Sequence, residues 1–145
     1  GLSFAQFINP DGGAETAAFY RENFKPSTEL KEPKVNVGIF AFCSENEQKV
    51  KDWITEFDYR LLHIESGASG ELPSLEEIKA MKYNLNQKAR IAYNKGRYIA
   101  GNPEKLKASI EKIATDYQTD EVMVATICDD FEDRKKSYEL LANYF

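Results

Sequence analysis

Val35-Asn36-Val37-Gly38-Ile39-Phe40-Ala41-Phe42-Cys43 is the stretch that decides the fold. Apolar residues occupy both its odd and its even positions, so we expect both faces of the strand to be buried. Strands of this kind occur in parallel sheets that are covered by helices on both sides. Ser44, with Glu47 three residues later, has the pattern of a capping box and predicts that a long helix begins directly after the strand.

The same strand–helix unit recurs on either side of this stretch. The predicted strands are Leu2–Ile8, Val35–Cys43, Tyr98–Gly101 and Glu121–Cys128. The predicted helices are Ala14–Phe24, a long one from Ser44, a less regular one from the Ser74/Glu77 capping box to Tyr93, one capped by Asn102, and Phe131–Phe145. On the last two helices the apolar stripes predict that Tyr117, Tyr138 and Phe145 point inward.

Strands that alternate with helices predict parallel pairing through right-handed crossovers. Two architectures satisfy this pattern. One is an open sheet of four parallel strands with helices on both faces. The other is half of a (β/α)8 barrel, which needs about 250 residues when complete. The 145 residues form one α/β unit, 1–145, in either case, and periodicity alone does not choose between the two.

Composition excludes several classes of protein. The net charge is −5, from 24 acidic and 19 basic side chains, which argues against a nucleic-acid binder. No apolar run approaches the ~20 residues of a membrane span. Two cysteines do not make a secreted disulfide framework, so we expect a cytoplasmic protein. The chain starts at Gly1 rather than Met, and we expect it to be cut from a longer one.

In both architectures ligands gather at the carboxyl ends of the strands. Cys43 and Cys128 lie at two of these ends, and we interpret them as small buried hydrophobes rather than nucleophiles. A metal site is not expected, because there is no Cys-x-x-Cys and the single histidine, His63, lies far along a helix. Gly101 and Asn102 end a strand and open a helix, a geometry that suits a phosphate. No catalytic residue is assigned.

Several segments taken together resemble the C-terminal half, strands 5 to 8, of the bacterial luciferase-like flavin monooxygenases. Each is weak by itself, but their order and spacing span nearly the whole chain. The segments are Gly1-Leu2-Ser3-Phe4-Ala5, Phe19-Tyr20-Arg21-Glu22-Asn23-Phe24-Lys25-Pro26-Ser27, Val35 to Phe42 with Ser44-Glu45-Asn46-Glu47, Ile99-Ala100-Gly101-Asn102-Pro103-Glu104, Asp120-Glu121-Val122-Met123-Val124, and Asp133 to Ala142. Asn102 stands where the family has Thr.

The resemblance implies a TIM barrel that binds reduced FMN, activates dioxygen as a flavin peroxide and oxygenates an organic substrate, an aldehyde in the luciferases. Its first four strands would precede Gly1. Under this resemblance the cofactor-binding candidates are Phe7, Ile8, Gly101 and Asn102. The substrate-pocket candidates are Asn9, Phe42, Cys43 and Cys128.

A half barrel leaves unpaired strand edges and an uncovered apolar wall, so we expect association. The partner is either the missing N-terminal half or a second copy of the chain, and a flavin reductase would supply the reduced FMN. The alternatives to a monooxygenase portion are a non-catalytic flavin-binding or structural subunit of the same fold, and a self-standing open-sheet domain for protein interaction.

Overall fold

A computed structural model describes all of the chain, residues 1–145. The strands are β1 (Leu2–Ala5), β2 (Val35–Cys43), β3 (Tyr98–Gly101) and β4 (Val122–Ala125). The α-helices are α1 (Gly13–Glu22), α2 (Glu47–Glu65), α3 (Leu75–Ala80), α4 (Leu85–Asn94), α5 (Pro103–Tyr117) and α6 (Phe131–Ala142), and a single 3-10 turn spans Lys95–Arg97. No helix is both long enough and apolar enough to cross a bilayer.

All strand pairs are parallel, and β2 is the centre of the sheet. β1 pairs with β2 over Val35–Gly38, and β3 pairs with it over Phe40–Cys43. β4 pairs with β2 over Val37–Phe40. Because the β1 and β4 registers overlap, these two strands lie on opposite edges of β2. Phe40 is in register with both Tyr98 of β3 and Ala125 of β4. β3 therefore lies on the edge of β2 opposite β4, where it follows β1 end to end.

The two faces of β2 belong to different helices. Odd-numbered residues such as Val37 and Ile39 pack against Ala17 of α1 and Ile113 of α5. Farther along the same face, Ala41 and Cys43 pack against α5 and α6. On the other face Phe42 packs with Trp53, Phe57 and Leu61 of α2. The chain crosses the sheet one way through α1 and α5 and returns through α2, so right-handed crossovers place α2 opposite the other two.

This arrangement is the open parallel sheet with helices on both faces. Consecutive barrel strands would pair in chain order with every helix on the outside. Here β4 lies beside β2 instead of β3, and α2 covers the second face. The sheet is therefore an open parallel sheet, the architecture that the sequence left open as the alternative, and the half barrel stays a prediction.

Most elements lie where the pattern predicts them, and their caps explain the differences. Asn46, not Ser44, caps α2: its side chain accepts from Gln48 and Lys49 N–H, while Ser44 Oγ accepts from Asn46 N–H. The Ser74/Glu77 capping box is confirmed. The predicted helix to Tyr93 is two helices, because Asn84 and Gln87 form a further capping box.

The outer strands and the last helix are shorter than predicted, and two inward assignments fail. The first strand ends at Ala5 instead of Ile8, and β4 ends at Ala125. Tyr117 is buried as expected. Tyr138 is 42% exposed and Phe145 is 67% exposed, because α6 ends at Ala142 and the free edge of β4 offers nothing to cover them.

Candidate functional site

The carboxyl ends of β2 and β3 lie side by side. Cys43 is in register with Gly101, and Ser44 N–H donates to the Gly101 carbonyl at 3.0 Å. Asn102 follows as the N-cap of α5, its side chain accepting from Lys105 N–H at 2.9 Å, with Pro103 in the first turn. The structure therefore places Cys43, Gly101 and Asn102 at the same end of the sheet.

A small cleft opens beside these ends, between α2 and the segment after β4. Phe42, Trp53 and Cys128 form its apolar wall, and the cavity measures about 210 Å³. Trp53 stacks on Phe42 with ring centroids 5.2 Å apart, and its indole N–H donates to the Ile127 carbonyl at 2.7 Å. These contacts hold Phe42 and Cys128, two of the four predicted substrate-pocket residues, on one cleft.

The rim of this cleft is acidic. The carboxylates that line it are Asp52, Glu56, Asp129, Asp130 and Asp133. Lys49 Nζ pairs with Asp133 at 2.5 Å, and Arg60 pairs with Glu56 and Asp129, each at 2.9 Å. Asp130 caps α6 by accepting from Asp133 N–H at 2.8 Å. Most of these carboxylates are therefore committed to ion pairs or a helix cap, and no group of three or more residues is arranged to hold a metal ion.

Both cysteines are thiols rather than thiolates at neutral pH. Burial, reinforced by Glu45, raises the pKa of Cys43 to about 11. Burial also raises the pKa of Cys128; a hydrogen bond with the Asp130 backbone opposes this shift, and the nearby carboxylates add to it. Because the thiolate is the nucleophilic form, the raised pKa values argue against a nucleophilic role for either cysteine. Cys43 is buried as predicted, whereas Cys128 is only half-buried.

Phe7, Ile8 and Asn9 lie at the other end of β3, away from this cleft. Phe7 N–H donates to the Gly38 carbonyl at 3.1 Å, and Gly38 is five residues before Cys43, roughly 16 Å along an extended strand. Phe7 packs on Phe40 with ring centroids 5.2 Å apart, whereas Ile8 is 64% exposed. The predicted candidates thus form two groups, because β1 and β3 share one edge of β2.

A buried polar network, which no sequence motif indicated, occupies the space between those groups. Tyr98 Oη donates to Asp58 at 2.7 Å, and Lys95 Nζ donates to the same carboxylate at 3.1 Å. Burial raises the pKa of Tyr98 well above its ordinary value, with the Asp58 hydrogen bond adding to it. Asp58 falls within the apolar stripe of α2. A charged residue at such a position is the one sequence feature that could have indicated the network.

Glu65, at the end of α2, is the second centre of this network. It accepts from Arg90 Nε at 2.8 Å, from Asn94 Nδ2 at 3.1 Å and from Arg97 Nη1 at 2.5 Å. Arg97 Nε in turn donates to the Phe7 carbonyl at 2.8 Å. The network thereby joins α2, α4, the entry to β3 and the turn after β1. Its role is to stabilise the fold.

Comparison with known proteins bears directly on the resemblance drawn from sequence. No protein-family model matches the chain. The chain is 37% identical over 146 residues to the uncharacterized protein YwcH of Bacillus subtilis, an alignment that covers 100% of this chain and 44% of YwcH. It is 23% identical over 139 residues to a luciferase-like monooxygenase of Escherichia coli, covering 96% of this chain and 42% of that protein. The predicted resemblance to luciferase-like monooxygenases is confirmed.

The chain spans about 44% of the length of the curated relatives it matches, which fits a half of such a protein. The fold also recurs in a solved structure. A crystal structure of apo-MsnO8 superposes with a TM-score of 0.83 at 24% identity, over 98% of this chain and 44% of that one. At this identity the match shows the fold alone.

Proposed function

We propose that this chain is a portion of an FMN-dependent, luciferase-like monooxygenase that oxygenates an organic substrate, for which an aldehyde is the first candidate. The observation that carries the proposal is the match to a luciferase-like monooxygenase along 96% of the chain. Reduced flavin would supply the activation of dioxygen. The closed barrel implied by the resemblance is proposed only for the longer parent, in which further strands would continue this sheet.

The residues at Gly101 and Asn102 do not by themselves form a phosphate site for FMN. At the start of α5, Pro103 has no N–H and the side chain of Asn102 already occupies the N–H of Lys105. The space beside Gly101 is filled by the Lys105 side chain, which a Cβ on Gly101 would meet at 2.7 Å. Few backbone donors remain for a phosphate there, although the segment Lys82–Lys112 carries eight basic and two acidic residues.

The substrate side of the proposal rests on the cleft at Phe42 and Cys128. A cavity of about 210 Å³ is smaller than the roughly 300–1,000 Å³ of most ligand pockets, so it suits part of a substrate rather than a flavin. Phe42 and Cys128 would supply apolar wall, and Cys43 lies on the opposite face of β2 with α5 and α6. Neither Asn9 nor Ile8 reaches this cleft, so a role for them needs residues from outside the chain.

Completion by a partner belongs to the same proposal. β4 has one free edge, and beside it Val122, Val124, Ile110 and Leu141 line an apolar groove of about 490 Å³. An apolar edge strand of this kind favours pairing with another chain or segment. The partner is the remainder of the longer protein or a second copy of this chain, and a flavin reductase in the cytoplasm would deliver reduced FMN.

For the chain by itself, the incomplete flavin site favours the second candidate, a non-catalytic structural portion. Titration of FMN fluorescence tests flavin binding separately for the isolated chain and for the longer parent protein. We expect no saturable quenching by the isolated chain, and stoichiometric quenching by the protein expressed from its complete reading frame. That longer protein should also consume dioxygen when given reduced FMN and an aldehyde. Failure of the longer protein to bind FMN would contradict the proposal, and stoichiometric binding by the isolated chain would contradict the fit argument.

The solution mass tests the partner. Sedimentation of the isolated chain should give a species heavier than 16.5 kDa, because association would bury the apolar groove beside β4. A single sharp boundary at the monomer mass, unchanged with concentration, would contradict the association.

A further inference from the structure

The start of α1 differs from the starts of the other α-helices. Gly12, with φ of 74°, precedes the helix, and no side chain caps it. The first hydrogen bond of the helix runs from Thr16 N–H to the Gly12 carbonyl at 3.0 Å. The N–H groups of the residues between, Gly13 to Glu15, therefore have no intrahelical acceptor. They lie on a cavity of about 460 Å³ at the carboxyl end of β1.

The largely buried side chain of Tyr117 lines the same cavity. Tyr117 is only 5% exposed, yet its hydroxyl makes no hydrogen bond within the chain and reaches the cavity beside Gly13. A Cβ on Gly13 would lie well inside contact distance of that oxygen, so glycine is what leaves the hydroxyl its room. Gln6 also lines the cavity, and its Oε1 is buried without a partner.

The free backbone N–H groups and the Tyr117 hydroxyl are hydrogen-bond donors that suit an anion. Three backbone N–H groups and the positive end of the helix favour a carboxylate or phosphate. The Tyr117 hydroxyl is available as a further donor, since burial, with Glu15 and Asp116 adding, raises its pKa to about 12. Neutral donors of this sort are usually satisfied when buried.

The rim of the cavity has the opposite preference. Asp11, Glu15 and Asp116 line it, and the one cation recorded against them is Lys112, whose Nζ lies 2.6 Å from Asp116. A simple anion at the helix start would be repelled by these carboxylates, and a simple cation would face the helix dipole. A ligand that carries both charges a few bonds apart satisfies both.

We propose that this cavity binds a free α-amino acid, with the ligand carboxylate on the N–H groups of Gly13 and Ala14 and the Tyr117 hydroxyl, and the ligand ammonium among the carboxylates of Asp11, Glu15 and Asp116. Cavities of roughly 300–1,000 Å³ hold small molecules, so the volume admits an amino acid with its side chain.

The experiment is calorimetric titration of the chain with individual amino acids, beside acetate, ethylammonium and inorganic phosphate as single-charge probes. At least one amino acid should bind more tightly than every single-charge probe. Tyr117→Phe keeps the ring and removes only the hydroxyl, and should weaken that binding about tenfold, the usual effect of a hydrogen bond to a charged group. Tyr144→Phe is the matched control and should bind as the parent chain does.

A charge variant separates the zwitterion from a simple anion. Asp11→Asn combined with Glu15→Gln should weaken amino-acid binding and strengthen acetate binding. Tighter binding of acetate or phosphate than of any amino acid to the parent chain would overturn the assignment. So would the absence of binding by all common amino acids, or equal affinity of Tyr117→Phe and the parent chain.

Discussion

Replacement of Glu65 by Ala tests whether the polar network at the end of α2 holds the fold together. The Glu65 carboxylate is the counterion of Arg97, whose side chain is 11% exposed, at 2.5 Å. It also pairs with Arg90, whose side chain is 48% exposed, at 2.8 Å. The substitution leaves Arg97 with only the Phe7 and Asn94 oxygens as acceptors.

The magnitude follows from the two arginines separately. Removing one partner of a fully buried pair costs about 3–5 kcal/mol, and the 22% exposure of Glu65 reduces that. The exposed pair with Arg90 contributes roughly 0–1 kcal/mol. We therefore expect the free energy of unfolding to fall by about 2–3 kcal/mol, or roughly 6–12 °C in Tm for a chain of this size.

Urea unfolding followed by circular dichroism measures the loss. Glu76→Ala is the matched control, since that carboxylate is 84% exposed and pairs with Lys79 at 3.4 Å, and it should cost under about 0.5 kcal/mol. Arg90→Ala should also cost little. Equal losses for Glu65→Ala and Glu76→Ala would refute the reasoning.

The same carboxylate predicts a pH dependence. The hydrogen bonds from Arg90, with those from Asn94 and the charge of Arg97, hold the pKa of Glu65 below its ordinary value of 4.5. A group with a lowered folded pKa contributes stability that is present above the unfolded pKa and is lost as pH falls through the folded one. The gap between the parent chain and Glu65→Ala should therefore be full at neutral pH and shrink below pH 4.5, and a gap that widens in acid would contradict the assignment.

Three further predictions concern local structure. Asn46→Ala should lower the free energy of unfolding by about 1 kcal/mol because Asn46 caps α2, whereas Ser44→Ala should cost clearly less; urea titration of both variants decides which residue is the cap. Gly38→Ala should cost about 1–3 kcal/mol, since a Cβ there would lie 2.6 Å from the Phe7 ring, and a Tm equal to the parent's would refute that contact. Cys43 should react slowly with a disulfide reagent at pH 7.5 and rapidly after unfolding, because burial raises its pKa to about 11; rapid reaction of the native thiol would show an activated cysteine.

The sequence predicted the elements better than their arrangement. Strand β2 (Val35–Cys43) and the Asn102 cap of α5 are visible in local patterns, since a nearly continuous apolar run and capping chemistry both act over a few residues. The Ser44 cap was a wrong prediction, because Asn46 offers the α2 amides a competing acceptor two residues later. Tyr98 and Asp58, 40 residues apart, meet only after the sheet forms.

By itself the sequence determined a parallel α/β chain, its strand–helix order and its likeness to luciferase-like monooxygenases, because each of these is written in local periodicity or in motif order. Only the tertiary structure decided that β4 lies beside β2 and that β1 and β3 share the other edge. Strand order depends on which distant segments bury their apolar faces together, and that competition leaves no local mark. It is also what separated Phe7, Ile8 and Asn9 from the cleft at Phe42 and Cys128.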